Sequence, residues 1–255
     1  VKITLLPSSV SQSGSPLQYL SSALVNDTVV IDAGCIGFYA TPQEQSRVRH
    51  VLLTHTHVDH LASLPILLDN AFDGGGEVMT IHASGAALDS LQSDLFNGRL
   101  WPDFIALSRK GPELLRLSRF EPGTTIDLEG LRITAVALNH VVPTVGYLVS
   151  DGRVSVAYVT DTAPTEEIWQ VCNRTQDLAA VFLEVTFPDK LTWLADVSKH
   201  LTPKTFARET TKLTRPARVL AMHLKPRYQA EVWQEVEALH LPRVERGLFD
   251  VPYVF

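Results

Sequence analysis

The sequence predicts an α/β protein in which two sheets are faced with helices, within one domain spanning residues 1–255. Three observations carry this. Short β-branched apolar runs alternate with amphipathic stretches along the whole chain. Two pairs of runs are joined by hairpin signals, Glu129-Gly130 and Asp151-Gly152. No repeat, low-complexity tract or long linker interrupts the pattern, and 255 residues at 45% hydrophobic and 20% charged suffice for a well-buried core.

In order, residues 1–6 read as a short strand, and 28–32 and 48–54 as buried strands rich in Val, Ile and Leu. A helix is expected over 61–71, stopped by Gly74-Gly75-Gly76, then a strand over 78–82 and a helix over 85–95. Residues 125–138 and 145–160 form the two hairpins. A helix over 164–172 carries Pro164 in its first turn, and a strand over 179–184 follows. Thr202 is placed to cap a helix over 203–213; a strand over 219–222 and a helix over 229–239 complete the series.

Net charge is −6, from 22 basic and 28 acidic side chains, so a long polyanion would have to meet a local basic patch. The two cysteines, Cys35 and Cys172, lie far apart and form neither a disulfide framework nor a zinc knuckle. A cytoplasmic, reducing home is the expectation, with the periplasm the alternative if a leader preceded Val1. No apolar run approaches the roughly 20 residues that span a bilayer, so no membrane association is expected.

The informative count is histidine: nine in all, three of them within six residues. Thr54-His55-Thr56-His57-Val58-Asp59-His60 follows a buried strand and sets four metal-binding side chains on one short loop. Imidazole and carboxylate at this density suit zinc, manganese or iron better than calcium. Four donors so crowded cannot all serve one small ion. His55 and His57 alternate toward one side while Asp59 and His60 suit a second, so two ions are expected, with further ligands from elsewhere. Three residues qualify because each ends a strand: His140, Asp161 and His223. Asp161, with two carboxylate oxygens, is the natural bridge. His50, His82 and His240 read as structural.

His-x-His-x-Asp-His, then a His, an Asp and a final His, resembles the metallo-β-lactamase fold superfamily, and Ile31-Asp32-Ala33-Gly34 resembles its Asp-bearing strand end. The resemblance implies an αββα sandwich with the metals at one rim. It implies His55, His57 and His140 on the first ion, Asp59, His60 and His223 on the second, Asp161 between them, and Asp32 supporting the loop. Residues 95–102 (Leu-Phe-Asn-Gly-Arg-Leu-Trp-Pro), 142–148 and 199–203 (Lys-His-Leu-Thr-Pro) are similar to class II cyclic-nucleotide phosphodiesterases. The chain departs from that family at Ala62-Ser63 and Thr160, where glycine is usual. Leu183-Glu184-Val185-Thr186-Phe187, with His200, resembles tRNase Z, in which such a pair acts near the scissile phosphate.

The chemistry these residues imply is hydrolysis of 3′,5′-cyclic nucleotides to nucleoside 5′-monophosphates. Two ions about 3.5–4 Å apart would lower the pKa of a bound water to about 7, making hydroxide available at neutral pH. After two carboxylates and a hydroxide, the centre keeps a charge of about +1, attractive to a phosphodiester. Asp59, His200 and Glu184 form the expected catalytic set, with Glu184 orienting His200 and His200 protonating the leaving oxygen or holding the phosphate. Phe96 and Trp101, with Tyr147 as a third candidate, offer a face for a base. Nucleic acid is disfavoured, because no Gly-rich basic arm is present to hold a tRNA. The alternatives are a tRNase Z-like nuclease and a hydrolase of lactones, thioesters or lactams, with a non-enzymatic metal-binding role last; a homodimer is a further expectation.

Overall fold

The computed structural model describes residues 1–8, 17–72 and 77–255, so the expected glycine stop at 74–76 lies outside the described residues. The strands are β1 (Lys2–Leu5), β2 (Ala23–Val25), β3 (Val29–Ile31), β4 (His50–Leu52), β5 (Thr80–Ala83), β6 (Arg116–Arg119), β7 (Thr125–Leu128), β8 (Leu131–Leu138), β9 (Thr144–Ser150), β10 (Ser155–Val159), β11 (Leu178–Glu184), β12 (Arg218–Met222), β13 (Val244–Arg246) and β14 (Pro252–Val254). Contacts divide the chain into two units: Lys2–Glu121 with Phe249–Val254, and Pro122–Leu248 with the two terminal residues.

The N-terminal unit holds a mixed sheet in the order β14-β1-β2-β3-β4-β5-β6. Strands β14 to β3 pair antiparallel and β3 to β6 parallel. Parallel pairs need crossovers, and the helices between β3 and β6 supply them. Val30, Val51, Leu53, Leu67, Ile81, Leu91 and Phe96 form the core of this unit.

The C-terminal unit holds a second mixed sheet in the order β13-β12-β11-β10-β9-β8-β7. The expected hairpins make its antiparallel half. Glu129 and Gly130, at φ 49° and 77°, supply the two positive-φ residues that a tight turn matched to strand twist requires. β10 to β13 run parallel. β10 and β11 are almost wholly buried, as expected of strands covered on both faces. Trp169, Phe206, Val181, Val219 and Val232 pack in this unit's core.

Several elements differ from expectation for identifiable reasons. The 61–71 helix is two pieces, Val58–Leu61 and Leu64–Ala71. The Ser63 hydroxyl donates to the Ala33 carbonyl at 2.8 Å and accepts from the Gly37 amide at 2.9 Å, while Pro65 has no N–H to continue the ladder. The 85–95 helix is α-helical over Gly85–Ser90 and then opens into a wide π turn over Leu91–Leu95. The 164–172 helix begins later, at Glu167. The backbone of Pro164 and Thr165 is drawn into loop contacts, with the Asn139 amide donating to the Pro164 carbonyl at 2.9 Å and the Thr165 N–H donating to Glu209 at 3.2 Å. Among the described residues no helix is long and apolar enough to cross a membrane.

Candidate metal centre

In the N-terminal unit the donors gather where β3 and β4 end. Asp32, fully buried with φ 60°, follows β3. Its carboxylate accepts the Thr54 amide at 2.8 Å and the Thr54 hydroxyl at 3.0 and 2.8 Å. It also takes the His60 Nδ1 proton at 2.7 Å. Burial pushes the Asp32 carboxyl up, and the charge of His60 and these hydrogen bonds pull against it. The four donor contacts identify it as an acceptor. In its neutral form His60 then carries its proton on Nδ1 and its lone pair on Nε2, the tautomer that a metal takes. The His55 ring lies 4.5 Å from that of His57 and 4.2 Å from that of His60, centroid to centroid, so the loop does bring its imidazoles together. Asp59 Oδ2 is 4.0 Å from His60 Nε2.

In the C-terminal unit four strands deliver the remaining residues. His140 follows β8, Asp161 follows β10, Glu184 ends β11 and His223 follows β12. Asp161 and His223 leave their strands at φ 54° and 59°. Asp161 Oδ2 lies 3.8 Å from His140 Nε2, and its Oδ1 lies 3.4 Å from His223 Nε2. One carboxylate thus presents one oxygen to each imidazole. His140 Nδ1 donates to the Lys199 carbonyl at 3.1 Å, and the Lys199 ammonium returns a bond to the His140 carbonyl at 3.1 Å. That fixes the His140 lone pair on Nε2, facing a carboxylate oxygen. Burial also holds the pKa of His140 below its ordinary value, which favours the neutral ligand form. A neutral imidazole lone pair aimed at a carboxylate oxygen is repulsive unless a cation lies between them, so the donor set fits a divalent ion.

His200 sits against this cluster. Its ring is stacked on His223, 5.6 Å away at 18°, and meets His140 at 5.1 Å. Candidate ligand atoms of Asp161, His200 and His223 lie within 4.8 Å of one another. His200 Nδ1 donates to Glu184 Oε1 at 2.9 Å. The fully buried Glu184 carboxylate also accepts the Thr162 amide at 2.6 Å, the Thr186 hydroxyl at 2.6 Å and the Leu201 amide at 3.2 Å. Burial alone would raise Glu184, but the charge and hydrogen bond of His200 bring it below the ordinary carboxylate range. Burial would likewise lower His200, and Glu184 outweighs it, holding the imidazole above its ordinary value. The pair is therefore suited to an imidazolium beside a carboxylate.

The aromatic candidates divide. Phe96 is fully buried: its amide closes on the Leu91 carbonyl at 2.8 Å across the π turn, and its ring stacks on Phe104 at 5.8 Å. It is a core residue with no face for a ligand. The same holds for Tyr147, at 0% exposure inside β9. Trp101 is half-buried, edge-on to Phe104 at 6.4 Å. Sequence reasoning passed over Thr54, Asn139 and Lys199. Asn139 ties the His140 loop to the Asp161 loop: its carbonyl accepts the Ala163 amide at 2.8 Å and its own amide donates to the Thr162 hydroxyl at 3.2 Å. The available signal was their position next to His55, His140 and His200.

Comparison with known proteins bears on the family and the fold. The sequence profile of the family described as "Beta-lactamase superfamily domain" matches residues 28–224. A "Probable 3′,5′-cyclic-nucleotide phosphodiesterase" of Yersinia pestis is 27% identical over 227 residues, covering 78% of this chain and 63% of that protein; the chain thus spans less than two thirds of this curated relative. Among solved structures, the metallo-beta-lactamase fold protein YhfI from Bacillus subtilis superposes with a TM-score of 0.73 at 17% identity, covering 99% of this chain and 98% of the other. Unliganded yeast PDE1 gives 0.74 at 15%, covering 97% and 99%. With residues 28–224 matched and two mixed seven-stranded sheets in the metallo-β-lactamase fold of its structural neighbours, the chain belongs to the beta-lactamase superfamily domain family.

Proposed function

We propose that this protein is a dinuclear-metal phosphodiesterase that hydrolyses 3′,5′-cyclic nucleotides to nucleoside 5′-monophosphates. The observation that carries the reading is Asp161, whose two oxygens face His140 and His223 separately, as a bridge between two ions must. The similarity to a protein described as a cyclic-nucleotide phosphodiesterase supports the substrate class. His55, His57 and His140 would hold one ion, Asp59, His60 and His223 the other, with Asp161 shared and zinc the expected metal. When bound, such ions neutralise phosphate charge and make hydroxide available near neutral pH.

The chain's own residues do the rest. Cleavage to the 5′-monophosphate breaks the bond between phosphorus and the 3′-oxygen, which must gain a proton. His200, held by Glu184 through Nδ1, offers Nε2–H as that donor. Glu184 keeps the ring oriented and stabilises its charged form. Trp101 supplies the apolar wall for the base. The test is a comparison of purified zinc- or manganese-loaded protein on cyclic AMP, cyclic GMP, a linear aryl phosphodiester, pre-tRNA and a chromogenic lactam. A specificity constant far higher for a cyclic nucleotide is expected. Turnover of pre-tRNA alone, or of the lactam alone, would overturn the substrate assignment.

A further inference from the structure

Each unit contains the same three-part chain: a buried carboxylate, a threonine hydroxyl and a histidine. In the N-terminal unit the Thr54 hydroxyl lies 2.8 and 3.0 Å from the two Asp32 oxygens and 3.0 Å from His55 Nδ1. In the C-terminal unit the Thr186 hydroxyl lies 2.6 Å from Glu184 Oε2 and 3.1 Å from His223 Nδ1. Thr54 and Thr186 are buried, at 1% and 0% exposure. A hydroxyl has one proton to give and two lone pairs that accept.

That single proton settles the direction of each chain. Asp32 and Glu184 are met by donors on every side: backbone amides of Thr54, Thr162 and Leu201, and the Nδ1–H groups of His60 and His200. The threonine proton therefore goes to the carboxylate, where the bond is charge-assisted. For Thr186 the rival acceptor, the His223 carbonyl, is farther, at 3.2 Å. With its proton committed, each hydroxyl can only accept from the imidazole beside it. His55 and His223 must then carry hydrogen on Nδ1 and the lone pair on Nε2.

We infer that Thr54 and Thr186 are positioning residues that set the tautomers of His55 and His223. This rests on the reading that these histidines hold metal, because Nε2 is useful as a ligand atom only when it is the unprotonated nitrogen. The buried carboxylates thereby act on two rings each: directly on His60 and His200, and through a threonine on His55 and His223.

The experiment uses the full chain, stripped of metal, with ¹⁵N-labelled histidine. Multiple-bond nitrogen–proton correlation spectra distinguish Nδ1–H from Nε2–H imidazoles. In the wild type, His223 is expected as Nδ1–H. Thr186→Val keeps the shape and removes the acceptor, and should shift His223 toward Nε2–H; Thr186→Ser should restore the wild-type spectrum. Thr186→Ala removes the same hydroxyl with less bulk and serves if the valine protein does not fold. Thr54→Val and Thr54→Ser make the same comparison at His55. Zinc affinity, read by competition with a chromophoric chelator, should fall about 10–100-fold in the valine variants and recover in the serine variants. A wild-type His223 already on Nε2–H, or a valine variant with unchanged tautomer, would overturn the assignment. A shifted tautomer with undiminished zinc affinity would overturn the positioning role alone. Wild-type protein that binds no zinc would overturn the reading of the metal centre, while the tautomer comparison still decides the threonines.

Discussion

Acid should weaken the N-terminal sheet through one histidine outside the metal cluster. His82 lies on β5, 5% exposed, and its Nε2 is 3.1 Å from His50 Nδ1 on the neighbouring β4. Burial, reinforced by the charge of His50, lowers its pKa from 6.5 to about 4. A histidine whose folded pKa is depressed is neutral in the native state, so its contribution is fully present above pH 6.5 and is lost as pH falls toward 4. A shift of about 2.5 units at 1.36 kcal/mol per unit is about 3 kcal/mol, reduced to about 2 kcal/mol by water reaching the pair. The perturbation is His82→Gln, which keeps a hydrogen-bonding side chain and removes the titration. Urea unfolding of metal-stripped wild type and variant at pH 7.5 and 4.5 isolates the His82–His50 pair, because the rest of the chain is the same in both. The wild type should lose about 2 kcal/mol more than the variant between the two pH values. Parallel losses would refute the reasoning. The strand bears on the proposed metal centre because the His82 carbonyl holds the Leu53 amide at 2.9 Å, directly before the candidate loop.

Elemental analysis of protein purified without chelator should give about two metal equivalents, and Asp161→Ala should lower both sites together, whereas His140→Ala should empty mainly one. His200→Ala should keep its metal and lose about 10²–10⁴-fold in kcat; loss of metal instead would make His200 a ligand. Trp101→Ala should weaken the preference for a cyclic nucleotide over an aryl diester by about 1–3 kcal/mol while sparing the aryl diester, as read from the two specificity constants; equal loss on both would remove Trp101 from base binding.

The sequence exposes what is local and periodic. His55, His57, Asp59 and His60 stand out as candidates because their loop is continuous. His140, Asp161 and His223 stand out as candidates because each follows an apolar run that reads as a strand. Phe96 was misjudged because its burial depends on the π turn at Leu91–Leu95, which has no sequence period. β6, with the residues Arg-Leu-Ser-Arg, reads as loop because an edge strand can be mostly polar. The helix Thr192–Ser198 buries only Ala195, so it shows no apolar stripe of the inward kind. Thr186 was quoted inside a motif, but its role depends on where a single proton goes, and that requires neighbours 2 and 37 positions away.

The left-handed backbone at Asp161 and His223, φ 54° and 59°, bears on how this protein would decay. L-residues hold that conformation at a cost on the order of 1 kcal/mol, which glycine escapes. If the side chains hold metal as proposed, that role is the reason the two positions are not glycine. In a gene copy released from that duty, glycine at either position would relieve the backbone cost. Loss of activity would then leave a particular trace: a lineage drifting to glycine at 161 and 223 while β10 and β12 stay intact.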